Sequence, residues 1–243
     1  MRSFTHISPS VRGRYIKYYR EFYHEEFFYI DGVKFISYEY PQFKKNNPHE
    51  YVAHFYENFT DSETYFDFID VNGRHIVDIG GNMADSALLF AKRGGDVLSF
   101  EPVEHLYELA LKNISINPEL ANKITMVKKG VGAKRGILSK KSNLVEEYID
   151  DSSQDMEIIS FSDLLNDYDF EPDILKMDCE GCEFEIILNY NLSMFNEIIF
   201  EHHTKYVHKD YHLLIDRLIE QGFKIKTATN IDFEEIGLIY AYK

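Results

Sequence analysis

Tryptophan is absent from this chain, and cysteine occurs only twice, at Cys179 and Cys182. Two cysteines cannot build a disulfide scaffold, so the fold must be held by burial. With 243 residues the chain can bury a sizeable core without staples. Basic residues are scarce: 26 Lys and Arg stand against 41 Asp and Glu, a formal net charge of −15. Nonspecific nucleic-acid binding neutralises phosphates with Lys and Arg, and an anionic membrane surface asks for the same residues. The charge argues against both partners. No apolar run reaches membrane-spanning length, and the opening MRSFTHISPS lacks the apolar segment of a secretory leader. The expectation is a soluble, cytoplasmic protein.

Aromatic residues are plentiful instead, with 18 Tyr and 19 Phe, and many fall early: Tyr15, Tyr18, Tyr19, Phe22, Tyr23, Phe27 and Phe28. Residues 1–70 read as an N-terminal appendage. It covers a pocket, forms a homodimer contact or packs as core, and the sequence leaves all three open. Within it, residues 27–31 and 34–38 flank Gly32 as a short hairpin, and 62–69 reads as a helix capped by Ser62.

Residues 71–243 have a different rhythm. Short apolar strands at 75–79, 97–100, 124–127, 174–177 and 197–200 alternate with helices at 85–92, 104–113, 183–189 and 211–221. Residues 130–136 read as a glycine-bearing turn and 143–159 as extended chain. Another helix begins at 162, with Ser160 or Ser162 as its cap. Strands 223–227 and 237–242 suggest an antiparallel hairpin at one edge. Such alternation specifies an α/β fold, a mostly parallel Rossmann-like sheet with helices on both faces. Ligands of these sheets bind beyond the carboxyl ends of the strands. That rule selects residues 80–85, Glu101, 130–132, 178–180 and 201–203.

The first of these sites is the run Asp78-Ile79-Gly80-Gly81-Asn82-Met83-Ala84-Asp85. A strand turns through glycines into a helix, so backbone can approach a ligand closely. The dinucleotide fingerprint G-x-G-x-x-G fails, because Asn82 and Asp85 stand where it needs glycine. A carboxylate in the first helical turn repels a pyrophosphate but can face an ammonium group, which favours S-adenosylmethionine over NAD. Glu101, at the end of the second strand and 21 residues after Gly80, suits a ribose diol. The plainer readings are a tight turn and an exposed acid before Pro102. Lys176, Asp178 and Glu180 share one side by the strand period and point to a catalytic cluster, unless Lys176 merely pairs with an acid. Glu201, His202 and His203 end the fifth strand. They form a hydrogen-bonded wall or, together with Asp178, hold Mg²⁺; the wall is the preferred reading and no metal is assigned. Cys179 and Cys182 supply only two ligands, so apolar filling is preferred to a redox or zinc role.

The strings VDIGGNMADSALLFAKRGGDVLSFEP, GVGAKRG, ISFSDLL and DILKMDCEGCEFEIIL, in this order, resemble the FkbM family of S-adenosylmethionine-dependent methyltransferases over residues 60–243. The resemblance implies a class I methyltransferase fold. It also implies O-methylation of a hydroxyl on a sugar, lipid-like or natural-product acceptor. Carried over by position, Gly80, Asn82 and Asp85 line the methionine end, with Asp78 and Gly81 in the same loop. Glu101 with Pro102 holds the ribose, and Gly130, Val131 and Gly132 approach the adenine. Asp178 and Glu180 face the transferred methyl, Lys176 supports them, and His203 is a competing base. Two departures stand out: Gly81 replaces the family's Ala, and Ala84 its second Gly. Alanine adopts the left-handed conformation poorly, so the loop is expected to turn differently. A non-catalytic S-adenosylmethionine-binding module and an NAD-dependent reductase are the alternative functions.

Overall fold

The computed structural model describes residues 27–36, 65–138, 155–227 and 235–243. The chain divides into two units, Met1–Thr64 and Tyr65–Lys243. Tyr15, Tyr18, Tyr19, Phe22, Tyr23, the Ser62 cap and the extended chain expected over 143–154 lie outside the described residues.

In the first unit, β1 (Phe27–Ile30) pairs antiparallel with β2 (Val33–Ile36). Asp31 and Gly32 join them with φ of 50° and 77°. Two consecutive positive φ values are what a two-residue hairpin turn requires, and Asp-Gly supplies them at low cost.

The second unit opens with a short helix α1 (Tyr65–Phe68). It continues through β3 (His75–Ile79), α2 (Asp85–Lys92), β4 (Asp96–Phe100), α3 (Glu104–Ser115) and β5 (Ile124–Val127). Three short strands follow: β6 (Gly130–Gly132), β7 (Gly136–Leu138) and β8 (Met156–Ser160). Then come α4 (Phe161–Asp167), β9 (Ile174–Met177), α5 (Cys182–Asn189), β10 (Glu197–His203), α6 (Thr204–Val207), α7 (His212–Glu220), β11 (Lys224–Thr227) and β12 (Ile236–Tyr242). Seven strands form the main sheet in the order β11-β12-β10-β9-β3-β4-β5. All pairs from β10 to β5 are parallel, while β12 runs antiparallel to both of its neighbours. The C-terminal hairpin is therefore present, but its second strand enters between β10 and β11. Composition explains the order. The five central residues of β12, Gly237 to Ala241, are all buried, as an interior strand demands. The KIKT of β11 is largely exposed and suits an edge.

Residues 130–136 are not a simple turn. Gly130–Gly132 is a strand parallel to β8 in a separate three-stranded sheet, β6-β8-β7. A Cβ on Gly130 would stand 2.4 Å from Ile158 Cδ1, so glycine lets the strands come together. Helix α4 starts at Ser160, whose hydroxyl accepts from the Asp163 N–H while the Asp163 carboxylate accepts from the Ser160 N–H. This reciprocal cap settles the choice between Ser160 and Ser162.

Apolar residues of the central strands, among them Val77, Leu98, Phe100, Leu175 and Ile198, pack in one cluster with Phe184 and Ile187 of α5 and Leu214 and Leu218 of α7. No helix among the described residues is long and apolar enough to cross a membrane. The chain order reverses at β3, which has β4 on one side and β9 on the other. In open parallel sheets the crevice at that reversal receives the ligand.

Candidate functional site

Four strand ends meet at this crevice. At the end of β3, Gly80 takes φ +84° and sits against the neighbouring strand: a Cβ there would lie 1.7 Å from the Asp178 carbonyl oxygen. Only glycine fits. Gly81 is confined by side chains, its Cβ position falling 2.2 Å from Ser99 Oγ, which a Cβ there would have to displace. Asn82 and Ala84 follow at φ 46° and 62°, and Ala84 is the N-cap of α2. The expected change of path at Ala84 does not occur. The loop keeps its left-handed step and bears the strain of a Cβ there, a cost of about 1–2 kcal/mol.

Beneath the loop, Asp78 is fully buried. Its Oδ2 accepts from Ser86 Oγ at 3.0 Å and Ser99 Oγ at 2.9 Å. Its Oδ1 lies 2.8 Å from Lys176 Nζ, which also donates to the Gly80 carbonyl at 2.8 Å. Both Lys176 and Asp78 are thus engaged in holding the loop from below. Asp78 and Asp178 keep the ammonium charged against the cost of burial.

Glu101 ends β4 and is 5% exposed. Its two oxygens accept from the backbone N–H groups of Asn82 at 2.9 Å and Val103 at 2.8 Å. It therefore ties the glycine loop to the second strand, a structural duty that strand position alone does not reveal. Burial pushes its carboxyl up to about 8 against these two donors. Burial likewise raises Asp85, in the first turn of α2, to about 7. Asn82 Oδ1 is buried without a hydrogen-bond partner among the described residues, an acceptor ready for a ligand N–H. Val131 is buried core and Gly130 and Gly132 are buried with it, while Pro102 touches the Gly130 position.

The acids gather around His203. Strand β10 extends three residues beyond Phe200, past the last residue paired with β9. On that overhang Glu201 and His203 share one side by strand alternation, and His202 takes the other, stacked on Tyr211 at 4.6 Å. His203 Nε2 lies 3.4 Å from Glu201 Oε2, 3.5 Å from Glu180 Oε2 and 3.7 Å from Asp178 Oδ1. Asp178 Oδ2 accepts from the Tyr65 hydroxyl at 3.0 Å. Glu180 reaches the cluster from a left-handed turn, with φ 57° followed by Gly181 at 119°.

Two contributors had no role assigned from the sequence. Tyr65 carries no signal beyond an aromatic residue near the start of the second unit. Glu183 is completely buried, and its Oε1 accepts from the His203 N–H at 2.8 Å and meets His203 Nδ1 at 3.1 Å. Its Oε2 accepts from the Gly181 N–H at 2.9 Å. The available signal was its place in the first turn of α5, where a carboxylate is favoured. Burial opposes a charge on His203, but Glu183, Glu201 and Asp178 outweigh it and push the ring up to about 12. Glu180 is raised to about 7 by burial, with Asp178 and Glu201 adding repulsion. Glu201 is also raised, chiefly by burial.

Cys179 and Cys182 are joined in a disulfide. This corrects the reading of two separate thiols, although both half-buried residues do pack on the core. The left-handed pair Glu180 and Gly181 brings their Cα atoms to 5.5 Å. Bonded to each other, the sulfurs offer no thiolate to a metal.

Among known proteins, residues 72–225 match the model of the methyltransferase FkbM domain. No curated protein is matched. Among solved structures, the chain is similar to the FkbM methyltransferase of Methylobacillus flagellatus KT, at 16% identity and TM-score 0.52. That match covers 70% of this chain and 43% of the other, so it spans less than half of that protein. Magnesium protoporphyrin IX methyltransferase from Synechocystis PCC 6803, solved with bound SAM, matches at 13% identity and TM-score 0.45, covering 72% of each chain. A fold of this type, with the FkbM model matched over well more than half of the residues, gives the assignment: the chain belongs to the FkbM methyltransferase family.

Proposed function

We propose that the chain transfers the methyl group of S-adenosylmethionine to a hydroxyl oxygen of a small molecule. The observation that carries this reading is the convergence of a glycine loop, a ribose-suited acid and a carboxylate cluster at the sheet's reversal point. The residues fit such a ligand. Gly80 leaves no room for a Cβ, Asn82 Oδ1 is a buried acceptor without a partner among the described residues, and Asp85 can face an ammonium group. Glu101 would take the ribose hydroxyls. When bound, the cofactor supplies an electrophilic methyl on a positively charged sulfonium.

An alcohol is a weak nucleophile at neutral pH, so a protein group must accept its proton as the C–O bond forms. Access favours the acids for this step. The Asp178 and Glu180 side chains are 33% and 29% exposed, whereas His203 is 3% exposed behind them. Glu180 and Asp178 would accept the proton, and Tyr65 would hold Asp178 in place. Much of the acceleration would come from orientation of the hydroxyl toward the methyl. The overall acidity of the chain favours a small acceptor over nucleic acid. The test is a screen of hydroxylated small molecules with isotopically labelled methyl donor, read by mass spectrometry. Label in an ether product, reduced at least tenfold in Glu180→Gln or Asp178→Asn, supports the reading. Label on nitrogen or carbon, or none with any hydroxyl acceptor, removes it.

A further inference from the structure

Among the described residues the carboxylate cluster meets one cationic partner, His203. Asp178, Glu180 and Glu201 converge on the single ring nitrogen Nε2 of His203. Lys176 is already 2.8 Å from Asp78, and among the described residues no Lys or Arg forms an ion pair with these three acids. One oxygen each of Asp178 and Glu201 and one nitrogen of His203 lie within 4.8 Å of one another. Donors bound to one ion at about 2.0–2.2 Å stand at most about 4.4 Å apart, so side-chain movements of a few tenths of an ångström would bring these three onto one ion.

The histidine is prepared in a particular way. Its ring is almost wholly buried, and Nδ1 faces the fully buried Glu183 carboxylate. Glu183 also accepts from the His203 N–H, so ring and backbone are held by one group. Nε2 is aimed into the cluster, yet its nearest carboxylate oxygen is 3.4 Å away, long for a hydrogen bond. A carboxylate behind one ring nitrogen, with the other nitrogen presented to further carboxylates, is the arrangement that fixes a metal-ligating imidazole. Tyr65 likewise takes Asp178 Oδ2 and leaves Oδ1 toward the cluster.

We propose that Asp178, Glu201 and His203 Nε2 bind a divalent cation of the Mg²⁺ or Mn²⁺ class, with Glu183 positioning the histidine. Carboxylates suit such ions, and two of the three ligands here are carboxylates. The ion takes the place of the Nε2 proton. The inference rests on the proposed methyl transfer only for its purpose. With the ion bound, Asp178 would serve as ligand and leave the role of base to Glu180: the ion would hold the acceptor oxygen and ease loss of its proton to Glu180.

The test is direct binding. Chelator-treated full chain, without cofactor, is titrated with Mn²⁺, and free ion is followed by electron paramagnetic resonance. One saturable Mn²⁺ per chain, displaced by Mg²⁺, is expected. Glu201→Gln should abolish it, and Glu183→Gln should weaken it by about 10–100-fold. Circular dichroism checks each variant, and Glu201→Asp serves as second probe if Glu183→Gln fails to fold. Absence of saturable binding up to millimolar Mn²⁺ overturns the site, as does binding that Glu201→Gln and Glu201→Asp leave unchanged. Mn²⁺ binding in a chain that ignores S-adenosylmethionine would retain the site and remove the methyl-transfer reading. Cofactor binding without Mn²⁺ binding would do the reverse.

Discussion

The two ends of the same parallel sheet treat charge in opposite ways. At the amino end, Arg74 precedes β3 and bridges Asp173, just before β9, and Glu197, the first residue of β10. Asp173 also accepts from Asn196 at 2.5 Å, and Tyr240 donates to Glu197 at 2.6 Å. The Arg74 hydrogen bond holds the Asp173 carboxyl below its usual range, and the arginine itself is stabilised in its charged form. At the carboxyl end, Asp85, Glu101, Glu180 and Glu201 are all shifted upward, chiefly by burial. One end is balanced and serves to join strands. The other holds several acids against the cost of burial, and it is the end at which the ligand is proposed to bind.

The largest expected effect comes from closing the crevice. Gly80→Ala forces a Cβ into the Asp178 carbonyl at a left-handed position. It should cost about 3 kcal/mol or more in urea unfolding, or prevent folding altogether. A variant of normal stability would mean that β3 and β9 are less closely joined here than the contact requires.

Arg74→Ala should cost stability by about 1–3 kcal/mol, because two partly buried carboxylates lose their partner. Ligand affinity should be unchanged, since the residue lies at the far end of the strands. Thermal melts and binding titrations check both halves. An affinity loss with unaltered stability would erase the contrast between the ends.

Glu101→Gln should weaken cofactor affinity by about 1.5–3 kcal/mol, the scale of a charge-assisted hydrogen bond. Glu101→Ala should do the same. Both variants should also lower stability: Gln sets an amide NH2 against one of the buried N–H groups of Asn82 and Val103, and Ala leaves both without an acceptor. Comparing the affinity loss with the stability loss across the two variants, by calorimetry and thermal melts, separates ligand contact from loop support.

A smaller effect follows from pH. The folded pKa values of Asp85 and Glu101, about 7 and about 8, lie above their unfolded values. Their protonated forms are favoured in the fold, so this stabilisation is complete below about pH 4 and lost as pH rises through 7–8. The cofactor-free protein should melt at a lower temperature at pH 8.5 than at pH 6. Asp173, shifted downward, contributes in the opposite sense: its stabilisation is present at neutral pH and lost on acidification. If the ribose binds ionised Glu101, affinity should strengthen over the same 7–8 window with release of a proton. Melting temperatures and calorimetry in buffers of different ionisation enthalpy measure both.

The parts of this arrangement that a local pattern encodes could be read before the structure. Strands β3, β5 and β9 and helix α2 match their expected bounds residue for residue, because each is a short apolar or amphipathic run with glycine or charge at its ends. The loop after β3 and the acid after β4 followed from the strand-end rule. What stayed hidden depends on contacts between distant segments. Strand β10 continues to His203 because β12 supplies a partner beyond the reach of β9, and no local propensity reveals that. The bond between Cys179 and Cys182 depends on two left-handed residues between them, a conformation that spacing does not specify. Glu183 looks like any acid in a first helical turn until the fold brings His203 onto it. Lys176 shows the limit of the period rule. It does share Asp178's neighbourhood, near the Tyr65 ring, but its ammonium goes to Asp78.

The methyl transfer proposed for the carboxyl end of the sheet depends on its binding S-adenosylmethionine through the glycine loop and Glu101. Isothermal titration of the wild-type chain and Glu101→Gln with S-adenosylmethionine, its demethylated product and NAD tests it most directly. The expected result is saturable binding of the first two, no heat with NAD, and affinity at least tenfold weaker in a folded Glu101→Gln. Binding of NAD alone, or affinity untouched by Glu101→Gln, would contradict the account.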